Sequence, residues 1–282
     1  MTQTEHGTVN IDNPRHTRLS FLLNEDSLVA VLRSTVNDGT IRCLDIAFDT
    51  ARPGLRTLED AVYENPWLLS DFGQTDILVN IRRQIIIPDG MSSEIEQTAI
   101  RKAGLESDGA VSTPNIVFRD SIASASAALI WSLDGDIARF LSRTFHNSTP
   151  RHILTPLVDY FCHKSSMGNS GKLYVHFRPD SEQAADIIAY TTGGRLTLAS
   201  TVTYHTSDDA VYYILAAMQT AGLDPDHDEI MICGNSAIRE KTAPLLSRFV
   251  RYVMPVIFPS ELFKAGKEAL GAPFPLILTS IV

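Results

Sequence analysis

The sequence predicts an α/β chain of two related domains, each a mixed sheet that opens with an antiparallel β-meander and is flanked by helices. Three observations predict it. The chain sets out one plan twice: Leu19–Phe48 reads as consecutive strands running into a helical segment, and Leu173–Tyr204 reads as three more strands followed by a helix over Ser207–Ala221. Strands and helices then alternate after each meander, which is the pattern of mixed sheets with helical layers. Between the two patterns lies Ser165–Gly171, seven small, polar or flexible residues that read as a linker. These observations divide the chain into a mobile lead-in at 1–17, a first domain at 18–168 and a second at 169–282. Two related domains that face each other enclose a cleft, a common place for a ligand.

The elements follow in order. Leu19–Asn24, Ser27–Leu32 and Thr40–Phe48 are strands, and Ala51–Gly54 is a turn. Thr57 with Asp60 three residues on reads as a helix N-cap, giving a helix over Leu58–Leu69 that Pro66 ends or bends. Asp76–Ile81 and Gln84–Ile87 are strands, and Ser92–Gly104 is a helix stopped by its Gly. Asn115–Arg119 is a short strand. Ile122–Ser132 suits helix or strand. Asp134–Phe145 is a helix, and Pro150–His163 is a turn followed by strand and helix. In the second half Gly193-Gly194 joins two strands as a hairpin turn. The helix at Ser207–Ala221 turns Val211, Ile214, Leu215 and Met218 to one face, and Gly222 stops it. Glu229–Cys233 is a buried type of strand, Ile238–Phe249 a helix interrupted by Pro244, and Val250–Phe258 a strand. The apolar run Leu276–Val282 reads as a last strand, completing the second sheet or pairing with another protomer.

Composition excludes several function classes. The chain has 282 residues, 44% of them hydrophobic, enough to bury sizeable cores without metals or disulfides. Net charge is −9, and Lys and Arg do not cluster, which argues against nucleic acid as a partner. Cys43, Cys162 and Cys233 are far apart and form no Cys-x-x-Cys pair. Met1–Arg18 lacks the apolar core of a signal peptide, and no apolar run reaches membrane-spanning length, so the cytoplasm is the default compartment. Gly168–Lys172 has the wrong spacing for a phosphate loop and precedes a strand. His146, His152, His163, His176 and His205 lack metal-ligand spacing and read as surface or interface residues. Asp208-Asp209 and the Asp224–Asp228 run read as helix-start and solvated acids. Tyr212-Tyr213 reads as helix packing. The Gly-x-Ser-x-Gly elbow of serine hydrolases is absent.

The segments Gly194–Tyr204, Thr206–Leu215, Ala221–Pro225 and Ile230–Gly234 resemble an uncharacterised bacterial family of unknown function. Through it the chain is similar to the actin-like ATPase (ribonuclease-H-like) superfamily of sugar kinases, Hsp70 and actin. In style it is nearest to the actin-like scaffolds of pilus assembly and type II secretion. The resemblance covers Arg18 to the C-terminus and is most specific over Gly194–Gly234. It implies two ribonuclease-H-like domains with nucleotide held between them in active members. Function is settled by the site, not by the fold.

Active members hold ATP with a Gly-containing hairpin in each domain, because Gly lets backbone amides close on phosphate. The matching first turn here, Asn24-Glu25-Asp26-Ser27, has no Gly and offers two carboxylates. The second, His176-Phe177-Arg178-Pro179-Asp180-Ser181, has no Gly, and Pro179 removes an amide donor. Arg178 reads first as an exposed turn residue and second as a phosphate-binding charge. The adenosine motif keeps one glycine, in Ile232-Cys233-Gly234-Asn235-Ser236. Were nucleotide to bind, the resemblance implies Asn24, Asp26, Ser27, Arg178, Asp180, Gly234 and Asn235, with a Mg²⁺ shared by Asp26 and Asp180. No residue is assigned a catalytic role. The loss of Gly from both turns points to a scaffold or protein-interaction protein, a pseudo-ATPase with no resident cofactor, whose cleft is filled by side chains. The alternative is an ATP-dependent enzyme or switch with atypical loops and an open, polar cleft. The expected partner is another protein or a second copy of the chain.

Overall fold

Three strands rich in Leu, Val and Ile open the fold. In the computed structural model, which describes residues 9, 11, 13–36, 41–49, 54–106, 113–178, 183–259 and 265–281, they are β1 (Thr17–Leu23), β2 (Ser27–Ser34) and β3 (Ile41–Ala47). They pair antiparallel, and β4 (Gln74–Val79) and β8 (Arg151–His152) add in parallel on the other side of β1, giving the order β3-β2-β1-β4-β8. Past the linker, β9 (Lys172–Phe177), β10 (Ala184–Tyr190) and β11 (Leu196–Thr203) form a second meander. To it β12 (Glu229–Gly234) and β13 (Tyr252–Pro255) add in parallel, in the order β11-β10-β9-β12-β13. Both sheets have one strand order and one set of directions. The register extends the match to single residues: Leu23 pairs with Val79 as Phe177 pairs with Gly234. Asn24 therefore corresponds to Arg178, and Asn80 to Asn235.

A third sheet, unforeseen in the two-sheet reading, is inserted between β4 and β8. It holds β5 (Gln84–Pro88), β7 (Ala127–Leu133) and β6 (Ile116–Ile122), in that order and antiparallel. The segment that suited helix or strand is thus split, with a short 3-10 turn at Ala123–Ala125 and then β7, buried along its whole length. Helix α2 (Ser93–Lys102) follows β5, and Ile100 buries against Ile87, Ala128 and Ile130. This first lobe also carries α1 (Leu55–Glu64), α3 (Gly135–Thr144) and α4 (Leu154–Ser165). Helix α1 begins three residues earlier than its expected start and ends at Glu64, leaving Pro66–Leu69 as a separate 3-10 turn. Thr57 is not its cap but lies buried inside it, and Gly54 holds the N-cap position. Asp134 does cap α3, accepting from the amides of Asp136 and Ile137.

The second lobe carries α5 (Ser207–Thr220) and α6 (Ser236–Leu246). Thr206 and Asp209 exchange hydrogen bonds as a capping box at the start of α5. Gly193 and Gly194 take φ of 95° and 83°, the left-handed turn that their hairpin requires. Tyr212 and Tyr213 do not pack inward: both are exposed, Tyr212 by 68%.

The end of the chain departs from expectation. After α7 (Lys267–Gly271), the apolar run is not a strand of the second sheet but a helix, α8 (Phe274–Ile281), lying on β1, β2 and β4 of the first. Leu276 and Ile277 share a core with Leu22, Val31 and Leu78. Arg33 donates to the Ser280 carbonyl at 2.6 Å. At the other terminus Val9 and Ile11 pack against the first core and Pro14–His16 is a 3-10 turn, so the described part of the expected lead-in is tied down. The remaining residues of 1–12 lie outside the described residues.

Helix α4 joins the lobes. Its Leu157, Val158 and Phe161 share one core with Phe21 and Ile77 of the first sheet and with Tyr174, Ile188 and Tyr190 of the second. Phe161 stacks on Tyr174 with centroids 4.0 Å apart, and the Tyr190 hydroxyl donates to the Val158 carbonyl at 2.6 Å.

Candidate functional site in the interlobe cleft

The turn after β1, Arg178 just past β9, and the ends of β4 and β12 meet where the lobes face each other. The first turn is closed by its own bonds. Asn24 N–H donates to the Ser27 carbonyl at 2.9 Å, the Asn24 amide to Ser27 Oγ at 3.1 Å, and Ser27 Oγ to Asp26 at 3.2 Å. Asp26 also presses on Asp45 of β3, whose carboxyl is raised by partial burial and then by Asp26. Two acids at this turn repel phosphate unless a cation intervenes.

Arg178 is the correction that matters most. It is not an exposed turn residue: it is 1% exposed, among the largest fully buried side chains of the protein. Alternation along β9 places His176 and Arg178 on one side of the second sheet, and Asp186 pairs with His176 across β9–β10. The guanidinium grips Asp186 from Nη2 at 2.6 Å and from Nε at 3.0 Å. Nη2 also donates to Thr201 Oγ1 at 3.0 Å. Nη1 crosses the cleft, donating to Asn80 Oδ1 and, at 3.4 Å, to the Ile81 carbonyl. Gln84 of β5 crosses too, donating to Thr201 Oγ1 at 2.8 Å. Asn80 in turn donates to Asn24 at 2.9 Å.

Asp186 is fully buried. Burial alone would raise its carboxyl, but the Arg178 guanidinium and the hydrogen bonds from His176 and Arg178 hold it well below the usual carboxylate range. His176 donates from Nδ1 to Asp186 at 3.0 Å. Its Nε2 is buried with no hydrogen-bond partner among the described residues. Cys233 sits next to His176 in the β9–β12 register, so Cys, His and Asp lie side by side. Burial pushes the Cys233 thiol far up, which disfavours the thiolate that a nucleophile needs.

His152, read as a surface or interface residue, is also buried. Its Nδ1 accepts from Leu154 N–H at 3.1 Å, which leaves the proton on Nε2 to donate to the Ile81 carbonyl at 2.8 Å. Burial, and then Arg178, push its pKa down to about 3. Behind it, Asp120 accepts from His152 N–H at 2.7 Å, Thr155 Oγ1 at 2.6 Å and Trp131 Nε1 at 3.1 Å. One polar chain therefore runs from Asp120 through His152, Ile81 and Arg178 to Asp186 and His176.

The remaining site residues have structural work. Gly234 has φ of 88°, and a Cβ there would stand 1.9 Å from the Phe177 carbonyl oxygen. Asn235 donates from its backbone to that oxygen at 2.9 Å, and its side chain caps α6 at Ile238. Asp180 lies outside the described residues. The structure thus brings Asn24 and Arg178 together through Asn80, and leaves Gly234 and Asn235 at the end of β12. Sequence reasoning missed Asp186, Asn80, Gln84 and Thr201. The available signal was Arg178 and Asp186 flanking the turn, with His176 just before it, in a hairpin whose paired strands are otherwise apolar apart from Lys172.

Comparisons with known proteins give the family and the fold. A family model described as "Protein of unknown function (DUF3822)" matches residues 6–253, so the chain belongs to that family. A solved structure from Bacteroides thetaiotaomicron VPI-5482, a protein with actin-like ATPase fold and unknown function, is similar at 21% identity and TM-score 0.77, covering 97% of this chain and 99% of that one. The fold is therefore actin-like. Weaker likenesses are the PilM-PilN type IV pilus biogenesis complex (12% identity, TM-score 0.48, covering 95% of this chain and all of that one). Another is the cytoplasmic domain of EpsL, an inner-membrane component of the type II secretion system of Vibrio cholerae (10%, 0.44, covering 93% and 98%). No curated protein matches the sequence. Among the described residues no helix is long and apolar enough to cross a membrane.

Proposed function

We propose, from membership of a family of unknown function with an actin-like fold, that this protein is a cytoplasmic scaffold whose nucleotide cleft has been given over to its own side chains. The observation that carries this reading is Arg178. In an active relative the turn after β9 would present backbone amides to phosphate; here its first side chain is buried, paired and bonded across the cleft. Neither phosphate turn contains Gly. A scaffold also needs contact surface. Phe249, Tyr252, Met254 and Ile257 are exposed on and beside β13, the edge strand of the second sheet among the described residues, Ile257 by 80%. A groove of about 640 Å³ between β6, α1 and α3 sets the apolar side chains of Leu55, Ile116 and Phe118 beside the charged Asp136, Arg139 and Arg143, and is a second, mixed surface.

Thermal unfolding with and without millimolar Mg-ATP, Mg-ADP and Mg-GTP tests the proposal. A ligand at a hundredfold excess over its dissociation constant adds about 2.7 kcal/mol, enough to raise the midpoint by several degrees. The expected outcome is no shift with any of the three. A clear rise with one of them sinks the scaffold reading in favour of a nucleotide switch.

A further inference from the structure

We infer that the two lobes are joined as a hinge and a latch: α4 is the hinge, and Arg178, anchored on Asp186 in the second lobe, latches onto Asn80 and the Ile81 carbonyl of the first. The two kinds of contact differ in chemistry and in place. Around α4 the contact is mainly apolar: Phe161 on Tyr174, and Tyr190 within the shared core. Apolar contact is non-directional and tolerates small rotations. The chain also crosses between the lobes beside α4, through the linker that starts directly after it. At the other end of the same strands the contact is polar and directional. Tyr174 and Arg178 are four residues apart on and just past β9, about 13 Å at strand rise.

At this end, among the described residues, three bonds cross: Arg178 to Asn80, Arg178 to the Ile81 carbonyl, and Gln84 to Thr201. The ion pair itself lies wholly within the second lobe, on neighbouring strands. Opening the mouth therefore separates no buried charge from its partner. It breaks three hydrogen bonds and lets water reach a pair that stays intact, a far smaller step than breaking a buried ion pair. The first lobe has no counterpart pair: register places Leu22 opposite in role to His176 and Val29 to Asp186. The latch is a one-sided addition to a symmetric plan. This inference does not rest on the nucleotide reading, and its test uses no nucleotide.

Cys233 is a native reporter. It is 1% exposed, next to His176 on the side of β12 that faces the first lobe. Cys162 reports on the hinge, since it lies in α4 and its thiol donates to the Ser124 carbonyl at 3.1 Å. The variant is Asn80→Ala with Gln84→Ala, which removes both first-lobe side chains of the latch, keeps only the 3.4 Å bond to the Ile81 carbonyl, and leaves Arg178 its carboxylate. Arg178→Ala is avoided because it strands Asp186 and threatens folding. Alkylation by N-ethylmaleimide, resolved by peptide mass, gives the rate at each cysteine. The expected result is at least a tenfold faster reaction at Cys233 with Cys162 unchanged, together with a larger radius of gyration in solution scattering. An unchanged Cys233 rate overturns the latch. Equal acceleration at both cysteines also overturns it, since loss of a latch spares the hinge. Tyr190→Phe, which removes a hinge hydrogen bond, is expected to leave Cys233 at the wild-type rate; an acceleration matching that of the latch variant overturns the division of roles.

Discussion

Arg178 and Asp186 are both fully buried, so removing one is not equivalent to removing both. Arg178→Ala leaves a buried carboxylate without its guanidinium, and a loss of about 3–5 kcal/mol is expected. Arg178→Met with Asp186→Leu removes the charge and its partner together, and a smaller loss than in the single variant is expected. Urea unfolding of the three proteins checks the order, and a double variant less stable than Arg178→Ala contradicts it. Glycines give a second contrast at this scale. Gly193 and Gly234 both take positive φ, 95° and 88°, but a Cβ on Gly193 meets open space while one on Gly234 meets the Phe177 carbonyl. Gly193→Ala should lose about 1–2 kcal/mol through backbone strain alone. Gly234→Ala should lose more, because β9 and β12 must also move apart. Equal shifts in midpoint for the two variants would show that the close approach does not matter.

Helices α3 and α5 were legible from period and capping residues, because one face meets a core and the other water. The strands of the meanders were legible as short apolar runs bounded by turn residues, even where β9 and β10 are buried along their whole length. Helix α8 was misread because Leu276, Ile277, Leu278, Thr279 and Ser280 are all buried. A helix covered on all sides shows no polar stripe, and a short apolar run then looks like a strand. Its two hydroxyl residues held a clue: Thr279 and Ser280 donate to carbonyls four residues back, at 3.1 and 2.9 Å, which is how a helix buries a hydroxyl. The site was legible in what it lacked, the glycines of both turns. Its contents were not, because Arg178 and Asp186 are joined by strand pairing and Asn80 reaches them only through the packing of two lobes. Deleting Phe274 to the C-terminus should uncover Leu22, Val31 and Leu78 at once. The expected outcome is loss of soluble protein on expression; a soluble, cooperatively unfolding truncation would show that the first lobe does not depend on α8.

At the scale of the whole molecule, the polar chain between the lobes makes stability depend on pH in a stated direction. His152 is folded as the neutral ring, since Nδ1 accepts from Leu154 and Nε2 donates to Ile81, and its pKa is pushed down to about 3 by burial and by Arg178. In the unfolded chain the same ring titrates near 6.5. Between these values the unfolded chain binds a proton that the native protein does not, so stability falls as pH drops through that window, by at most about 1.4 kcal/mol per unit for one proton. Asp186 has the same sign lower down. Its carboxyl is held below the usual range, so its contribution is present above about 3.9 and is lost as pH falls further. The midpoint of thermal unfolding is therefore expected to be level from pH 8 to 7, to fall below about 6.5 and to fall more steeply below about 4. His152→Asn should be less stable throughout, because it disturbs the bonds to Leu154 and Ile81. It should also be flatter between about 6.5 and 4.5, because the proton taken up on unfolding is gone. An unchanged slope in that variant would place the proton uptake elsewhere and remove His152 from the account of acid sensitivity.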